Sequence, residues 1–358
     1  MKVKIKHANL AELTPEDRYA INEVLRKSPN ATVFHTLEWN ELLIDQYGLQ
    51  NVTLLATSDE KPVGLFIFYI DGARCQSPKT EIESVYGGPI FAGTDRAVIP
   101  LLREAERVRR IAWLDIWTPA NYDISPFIKS GYTSSEMYTS ILELQKPEEE
   151  LWLGLDGKTR NMVRKATKNN VLVVEGDESL VGEYYQMVVS TLTRAQIEPQ
   201  PESFYRRIIQ DLGPKGMARL LLANHQGRFI AGAIFLFYKD IAYYWHGSSH
   251  REHLSVAPNE LIQWELIKWA RQNGYKYYDL VRIEPDRLPG IARFKTRLGG
   301  KTAPCYHLQK GTRRYLWMRL LRLMRNPKRA VNKLRIFVAG KGNANQKNNP
   351  QTRACSTS

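Results

Sequence analysis

The hydrophobic pattern of the chain changes period repeatedly, and each change marks an element. Val52 to Thr57 and Val63 to Ile70 are β-branched, apolar runs on either side of Ser58-Asp59-Glu60-Lys61-Pro62, which predicts a hairpin. Helical spacing covers 14–26, 36–47 and 96–110, with Thr36 placed to cap the second of these. Strands are predicted at 111–117 and 140–144. The second half repeats this order. Helices are expected at 159–169, 178–194 and 204–211, and a hairpin joins 220–223 to 229–238 around Asn224-His225-Gln226-Gly227. A strand at 241–246 and an amphipathic helix at 259–272 follow, then Gly274 as a stop and a strand at 277–281. Alternation of helix and strand in both halves predicts an α/β chain.

The halves read as copies. Leu54-Leu55-Ala56 leads through a polar turn to Gly64 and a run ending Phe68-Tyr69, as Leu221-Leu222-Ala223 leads to Gly232 and Phe237-Tyr238. Trp113-Leu114-Asp115-Ile116 has a counterpart in Tyr278-Asp279-Leu280. The offsets fall between 164 and 169 residues, and matched landmarks at nearly one spacing favour duplication over chance.

Composition narrows the class. At 358 residues and 43% apolar content the chain is long enough for two folded domains. Cys75, Cys305 and Cys355 are odd in number and far apart, which argues against a disulfide framework or a zinc site and for a reducing compartment. The basic start, Met1 to Lys6, precedes no apolar stretch, so no secretory signal is read. No apolar run reaches the ~18 residues of a membrane span. Thirteen of the 51 Lys and Arg stand at or after Lys310 with no acidic residue among them, leaving 38 against 37 acidic residues in the body. The body is neutral and the tail is the basic part. In that tail, Leu316, Trp317, Leu320, Leu321, Leu323 and Met324 share one helical face, with Arg314, Arg319, Arg322 and Arg325 on the other. A second basic helix is expected at 328–337 and a disordered end at 341–358. This tail has three readings: the inner membrane surface, RNA phosphates, or packing on the body.

The segment from Asn259 to Lys301 carries the densest chemistry: an amphipathic helix, a buried strand, a loop, then Phe294-Lys295 just before Gly299-Gly300. A Lys held beside an aromatic ring in a crevice neutralises a phosphate or a developing oxyanion; on a solvated helix it does neither. Asp115 and Asp279 are matched carboxylates at strand ends, where a base or a simple backbone acceptor could stand. Arg160, Arg164 and Lys168, spaced by four and flanked by Lys165, form either an RNA-gripping face or a solvated one. His246, His250 and His253 read as a polar loop rather than a metal site. Nucleophile-elbow, dinucleotide and P-loop motifs are absent. Tyr86-Gly87-Gly88-Pro89 is the nearest Gly-rich stretch, but Pro89 removes a phosphate donor, and the helix at Asn259 opens without glycines. Both points weigh against a CoA-binding loop.

The order Trp264-Glu265, Tyr278-Asp279-Leu280, then Gly290-Ile291, Phe294-Lys295 and Gly299-Gly300 resembles the C-terminal signature of the FemABX family. Phe34 to Trp39, Arg160 to Ala166, and Thr191 to Arg194 are similar to three further motifs of that family, so the resemblance spans roughly residues 32–308. It implies two tandem GNAT-like N-acyltransferase domains of α/β (α+β) type, with mixed sheets flanked by helices. Their expected bounds are 1–146 and 147–310, followed by the basic tail at 311–358. It implies transfer of an amino acid from aminoacyl-tRNA to an amine of a lipid-linked or nucleotide-linked muropeptide. No metal or other cofactor is implied, and acyl-CoA is the donor in the alternative, a GNAT N-acyltransferase of envelope or polysaccharide synthesis. On this resemblance Phe294 and Lys295 lie at the reaction centre and Arg194 contacts the precursor; Asp279 joins them as the candidate strand-end carboxylate, and Trp39, Tyr86 and Arg282 are expected on the substrate side. The tRNA side takes Arg160, Arg164, Lys165 and Lys168. The expected location is cytoplasmic, peripheral on the inner membrane face through residues 312–338. Two positions depart from the family pattern: Leu43 stands where a Lys is frequent, and Val281-Arg282 where glycines are frequent.

Overall fold

The computed structural model describes residues 3–93 and 95–325. The first half runs β1 (Lys4–Ala8), α1 (Pro15–Lys27), α2 (Leu37–Tyr47), β2 (Asn51–Ser58), β3 (Lys61–Asp71), β4 (Arg74–Ser77), β5 (Ile90–Phe91), α3 (Val98–Arg107), β6 (Trp113–Trp117), α4 (Ser125–Lys129) and β7 (Thr133–Glu143). The second half follows with α5 (Glu148–Gly154), α6 (Gly157–Lys168), β8 (Leu172–Gly176), α7 (Val181–Arg194), α8 (Glu202–Arg207), β9 (Ala218–His225), β10 (Arg228–Tyr238), β11 (Ile241–Ser249), α9 (Pro258–Gln272), β12 (Tyr277–Asp279), α10 (Pro289–Thr296) and β13 (Lys301–Gly311). Helix starts follow local chemistry: Thr14 and Asp17 close a capping box with Pro15 in the first turn, and Thr36 caps α2 through the Trp39 N–H.

The duplication is laid out in the strands. β2 and β9 start at 51 and 218, β3 and β10 at 61 and 228, and β4 and β11 at 74 and 241, each pair 167 residues apart. β1 and β8 start at 4 and 172, and β7 and β13 at 133 and 301, both 168 apart. All join one mixed sheet in the order β1-β2-β3-β4-β6-β13-β7-β12-β11-β10-β9-β8, with β5 beside β3. The last strand of each half is exchanged: β13 lies beside β6 of the first half, and β7 beside β12 of the second. The two strands pair with each other from Lys301↔Ile141 to Gln309↔Thr133.

One apolar cluster draws on both halves, joining Phe34, Trp39 and Tyr86 to Phe204, Tyr243 and Trp245. Their rings meet edge to face, as in Trp39–Trp245 at 5.7 Å and Phe34–Tyr243 at 5.9 Å. Each such pair adds ~1 kcal/mol to what burial alone contributes.

Several elements differ from the sequence pattern. β7 begins at Thr133 rather than 140, because its first residues are polar and mostly exposed. β13 was not expected, since Pro304 and alternating polar residues interrupt its apolar run. The predicted helix at 204–211 is α8 followed by a π turn at Ile208–Leu212. Residues 311–358 form a separate unit. In it, α11 (Arg313–Arg325) exposes Leu316, Trp317 and Leu320. The second basic helix at 328–337 and the segment 341–358 lie outside the described residues. Among the described residues no helix is long and apolar enough to cross a membrane.

Candidate functional site

β11 and β12 pair in parallel only from Ile241↔Tyr277 to Tyr243↔Asp279. β11 continues to Ser249, so the two strands part immediately after Asp279. Asp279 Oδ1 accepts from Thr139 Oγ1 at 2.5 Å, from the Val281 N–H at 2.8 Å and from Tyr86 OH at 3.3 Å. Burial pushes its carboxyl above the ordinary range, against the pull of these donors and of Lys295. Val281 holds φ +49°, a conformation costly for a β-branched residue and natural for glycine. That explains in physical terms why glycine would suit this position.

Lys295 on α10 closes the site. Its side chain is buried, its Nζ donates to the Arg282 carbonyl at 3.0 Å, and it stands 5.8 Å from the centre of the Tyr244 ring. Phe294 packs on the same ring at 6.2 Å. Burial pulls the Lys295 ammonium down from 10.5 to about 8, with Asp279 opposing. The following glycines let α10 dock here. Gly299 has φ +84°, and a Cβ there would lie 2.6 Å from the Gly154 carbonyl oxygen at the end of α5.

The first half carries the same frame with different contents. β4 and β6 pair in parallel from Arg74↔Trp113 to Ser77↔Ile116, and Asp115 stands 164 residues before Asp279. Asp115 pairs with His307 Nε2 at 2.5 Å and Arg74 Nη2 at 2.9 Å, and accepts from Trp117 Nε1 at 3.1 Å. Burial would raise its carboxyl, but His307 and Arg74 outweigh burial and hold it below the ordinary range. His307 and Thr139 are matched positions on the exchanged strands, 168 residues apart. The gap beyond β4 and β6 is filled by the chain itself. The Gly87 N–H donates to the Trp117 carbonyl at 2.7 Å, and a Cβ on Gly87 would lie 2.4 Å from the Pro78 nitrogen. Tyr86-Gly87-Gly88 is therefore a plug that seals the first half, not a phosphate loop.

A cleft of about 910 Å³ opens beside the parting strands, lined by Glu83, Trp117, Glu198, Trp245, His246 and Arg282, among others. The Arg282 guanidinium lies 4.2 Å from the Trp117 ring centre, and its Nε is 3.1 Å from Glu284 Oε1 without the angle of a good hydrogen bond. Its carbonyl anchors Lys295, so one residue joins the cleft to the buried lysine. His246 belongs to β11, not to a polar loop as the sequence pattern suggested. A bulge shifts the register between Ile234↔His246 and Phe235↔Tyr244, and so turns His246 to the cleft side with Trp245. Strict alternation, the only local signal, points the other way. Among the described residues no group of three or more His, Cys, Asp and Glu is placed to hold a metal.

Other sequence candidates stand elsewhere. Trp39 is fully buried behind the cleft, donating from Nε1 to Ser84 Oγ at 3.1 Å, so it supports the wall rather than facing it. Tyr86 is buried too and ties the first half to Asp279. Arg194 is exposed at the end of α7 and donates to the Ser249 carbonyl, away from the cleft lining. Arg160 does not join an open cationic face: its Nη1 binds the Leu153 and Leu155 carbonyls and finishes α5. Arg164 lies 5.2 Å from the Trp152 ring centre, and Lys165 and Lys168 are exposed. Leu43 is core.

The Acetyltransferase (GNAT) domain family matches residues 157–296. A lipid II:glycine glycyltransferase of Staphylococcus haemolyticus is 38% identical over 60 residues, 16% of this chain and 14% of that protein. That of Staphylococcus epidermidis is 33% identical over 70 residues, 20% and 17% of the two chains. The matched stretches thus span less than a fifth of these curated relatives. Over most of the chain the likeness is structural. FemX superposes with a TM-score of 0.65 at 15% identity, covering 84% of this chain and 96% of that one. The C-terminal domain of a putative lysylphosphatidylglycerol synthetase from Agrobacterium fabrum gives 0.58 at 11% identity, covering 85% and 94%. A tandem GNAT protein from the clavulanic acid pathway gives 0.54 at 14%, covering 86% and 98%. The chain is built from tandem halves of the GNAT fold, and its second half matches the acetyltransferase (GNAT) domain family.

Proposed function

We propose that this protein is an acyltransferase that moves an aminoacyl group from aminoacyl-tRNA to an amine of a lipid-linked peptidoglycan precursor, or of another envelope precursor. The observation that carries this reading is Lys295, a buried amine drawn down to about 8 and fixed where β11 and β12 part. An ester donor is already activated. The reaction needs alignment, loss of a proton from the amine, and stabilisation of the tetrahedral oxyanion. The Lys295 ammonium supplies the last of these, with Phe294 and Tyr244 excluding water around it. The curated relatives act on lipid II and glycine by name, which supports a lipid-linked acceptor. Exposed Lys165 and Lys168 on α6 offer contacts for the donor's phosphates. We place the domain bounds at 146 and 310, and assign the inner membrane surface to the exposed apolar residues of α11 and their flanking arginines.

The GNAT family match favours a second reading, with acyl-CoA as donor. Against it, the turn between β11 and α9 contains no glycine, and Pro258 removes one N–H from the helix start that would hold a pyrophosphate. The deciding experiment incubates the protein with labelled aminoacyl-tRNAs or labelled acyl-CoA and a muropeptide acceptor. Ribonuclease-sensitive transfer supports the first reading; ribonuclease-insensitive transfer from acyl-CoA replaces it with the second.

A further inference from the structure

His246 reaches the cleft through the β11 bulge and arrives with two partners. Tyr184 OH lies 2.5 Å from its Nδ1 and 3.3 Å from its carbonyl oxygen. Burial and the nearby charge of Glu83 push the Tyr184 phenol well above its ordinary range, so it keeps its proton. Donating that O–H to the carbonyl leaves the phenol oxygen to accept Nδ1–H, and Nε2 is then bare. Nε2 stands 3.7 Å from Glu83 Oε2, too far for a direct hydrogen bond. Tyr205 OH holds Glu83 Oε1 at 3.0 Å, while Oε2 is buried with no hydrogen-bond partner. Two acceptors at this separation are both within reach of one nitrogen that donates a proton to each.

The charge of the cleft agrees. Besides Glu83 it is lined by Glu81, Glu136, Glu198, Glu284 and Asp286, against Arg282 and Arg287. Glu284 pairs with both arginines. The balance is negative, so the cleft attracts a cation and repels a phosphate.

We propose that the Glu83–His246 corner receives the ammonium group of the acceptor and that His246 Nε2 takes its proton. This rests on the acyl-transfer reading above. One N–H bond breaks, its electron pair stays on nitrogen, and the proton bonds to Nε2, where Glu83 neutralises the imidazolium. The free amine attacks the ester carbonyl carbon. As the C–O bond breaks, the second amine proton leaves with the departing ester oxygen, and the imidazolium releases its proton to solvent. His246 is the catalytic residue in this step; Glu83 and Tyr184 position it.

The test uses the full chain with ¹³C,¹⁵N-labelled histidine. The His246 resonance is assigned by its loss in His246→Gln. The titratable groups beside it are Glu83, Tyr184 and Tyr205, and only Glu83 of these carries charge near neutral pH. Nα-acetyl-lysine should shift it, Nα,Nε-diacetyl-lysine should not, and Glu83→Gln should weaken the first effect at least about tenfold. The ¹⁵N shifts should report a proton on Nδ1. Equal responses to both compounds, an unchanged response in Glu83→Gln, or a proton resident on Nε2 would overturn the proposal. These readings are made on the wild-type chain, and where His246→Gln folds poorly the resonance is assigned instead by sequential through-bond connection in wild-type spectra. In the transfer assay, His246→Gln should lower kcat by about 10²-fold or more. Amine binding without transfer from any donor would sink the acyl-transfer reading and leave the amine site standing.

Discussion

Replacing Lys295 by Met should make the protein more stable and less active at once. The ammonium is buried, and its fall from 10.5 to about 8 corresponds to a penalty of ~3 kcal/mol for holding the cation in the fold at pH 7. Methionine fills similar space without charge and gives up the hydrogen bond to the Arg282 carbonyl, worth ~1 kcal/mol. The net expectation is a gain of ~2 kcal/mol at pH 7. The pH dependence follows from the direction of the shift. Between about 8 and 10.5 the unfolded chain holds a proton that the native lysine has lost, so wild-type stability rises with pH through that window. The variant's advantage should therefore shrink to near zero by about pH 10. Urea midpoints of both proteins at pH 7 and pH 10 measure this, using the difference between midpoints so that no single global unfolding step is assumed. A variant less stable than wild type at pH 7, or an equal difference at both pH values, would refute the argument. Activity should meanwhile fall by about 10² or more, the usual loss when an oxyanion donor is removed.

Asp279→Asn removes the charge that holds the Lys295 ammonium up, so its titration should move below about 8, read from the lysine ε-carbon resonances, and the alkaline limb of transfer should move with it. Gly299→Ala must place a Cβ 2.6 Å from a carbonyl oxygen at φ +84°, and should cost roughly 1–3 kcal/mol in thermal stability while loosening α10. Removing residues 311–358, a separate unit, should abolish binding to vesicles rich in anionic lipid and leave transfer to a soluble acceptor intact.

The hairpins at 51–71 and 218–238, helix α9 and the strand before Asp279 were legible because each is a long, unbroken run of one period. The exchanged strands were not. β7 opens on Thr133-Ser134-Ser135-Glu136, and β13 contains Pro304, so neither shows a sustained apolar face. Phe294-Lys295 and Asp279 were picked out from motif order; the structure sets Phe294 and Lys295 against Tyr244, with Lys295 held by the Arg282 carbonyl and Asp279 near it. His246 was missed because a bulge reverses its side, and its partner Tyr184 is 62 residues away with no local signal linking them. The engagement of Arg160 with the α5 carbonyls was not legible, because spacing by four reports a helix face but not what ends beside it.

The duplication explains why one half keeps a candidate reaction centre. Both halves place an aspartate on the strand beside which the sheet parts, and each aspartate takes a partner from the exchanged strand. In the first half that partner is His307, joined by Arg74, so Asp115 is held below the ordinary carboxylate range. In the second it is the neutral hydroxyl of Thr139, and Asp279 is raised by burial against the weaker pull of Lys295. Two equivalent carboxylates driven in opposite directions signal a division of labour. Asp115 is fully neutralised and its gap is sealed by Gly87, which suits it to hold the halves together. Asp279 instead stands near the buried Lys295 amine, which is anchored by the Arg282 carbonyl and so joined to an open cleft, and the GNAT family match falls on that half, at 157–296. One aspartate has become a structural clamp, and its copy has kept an environment suited to chemistry.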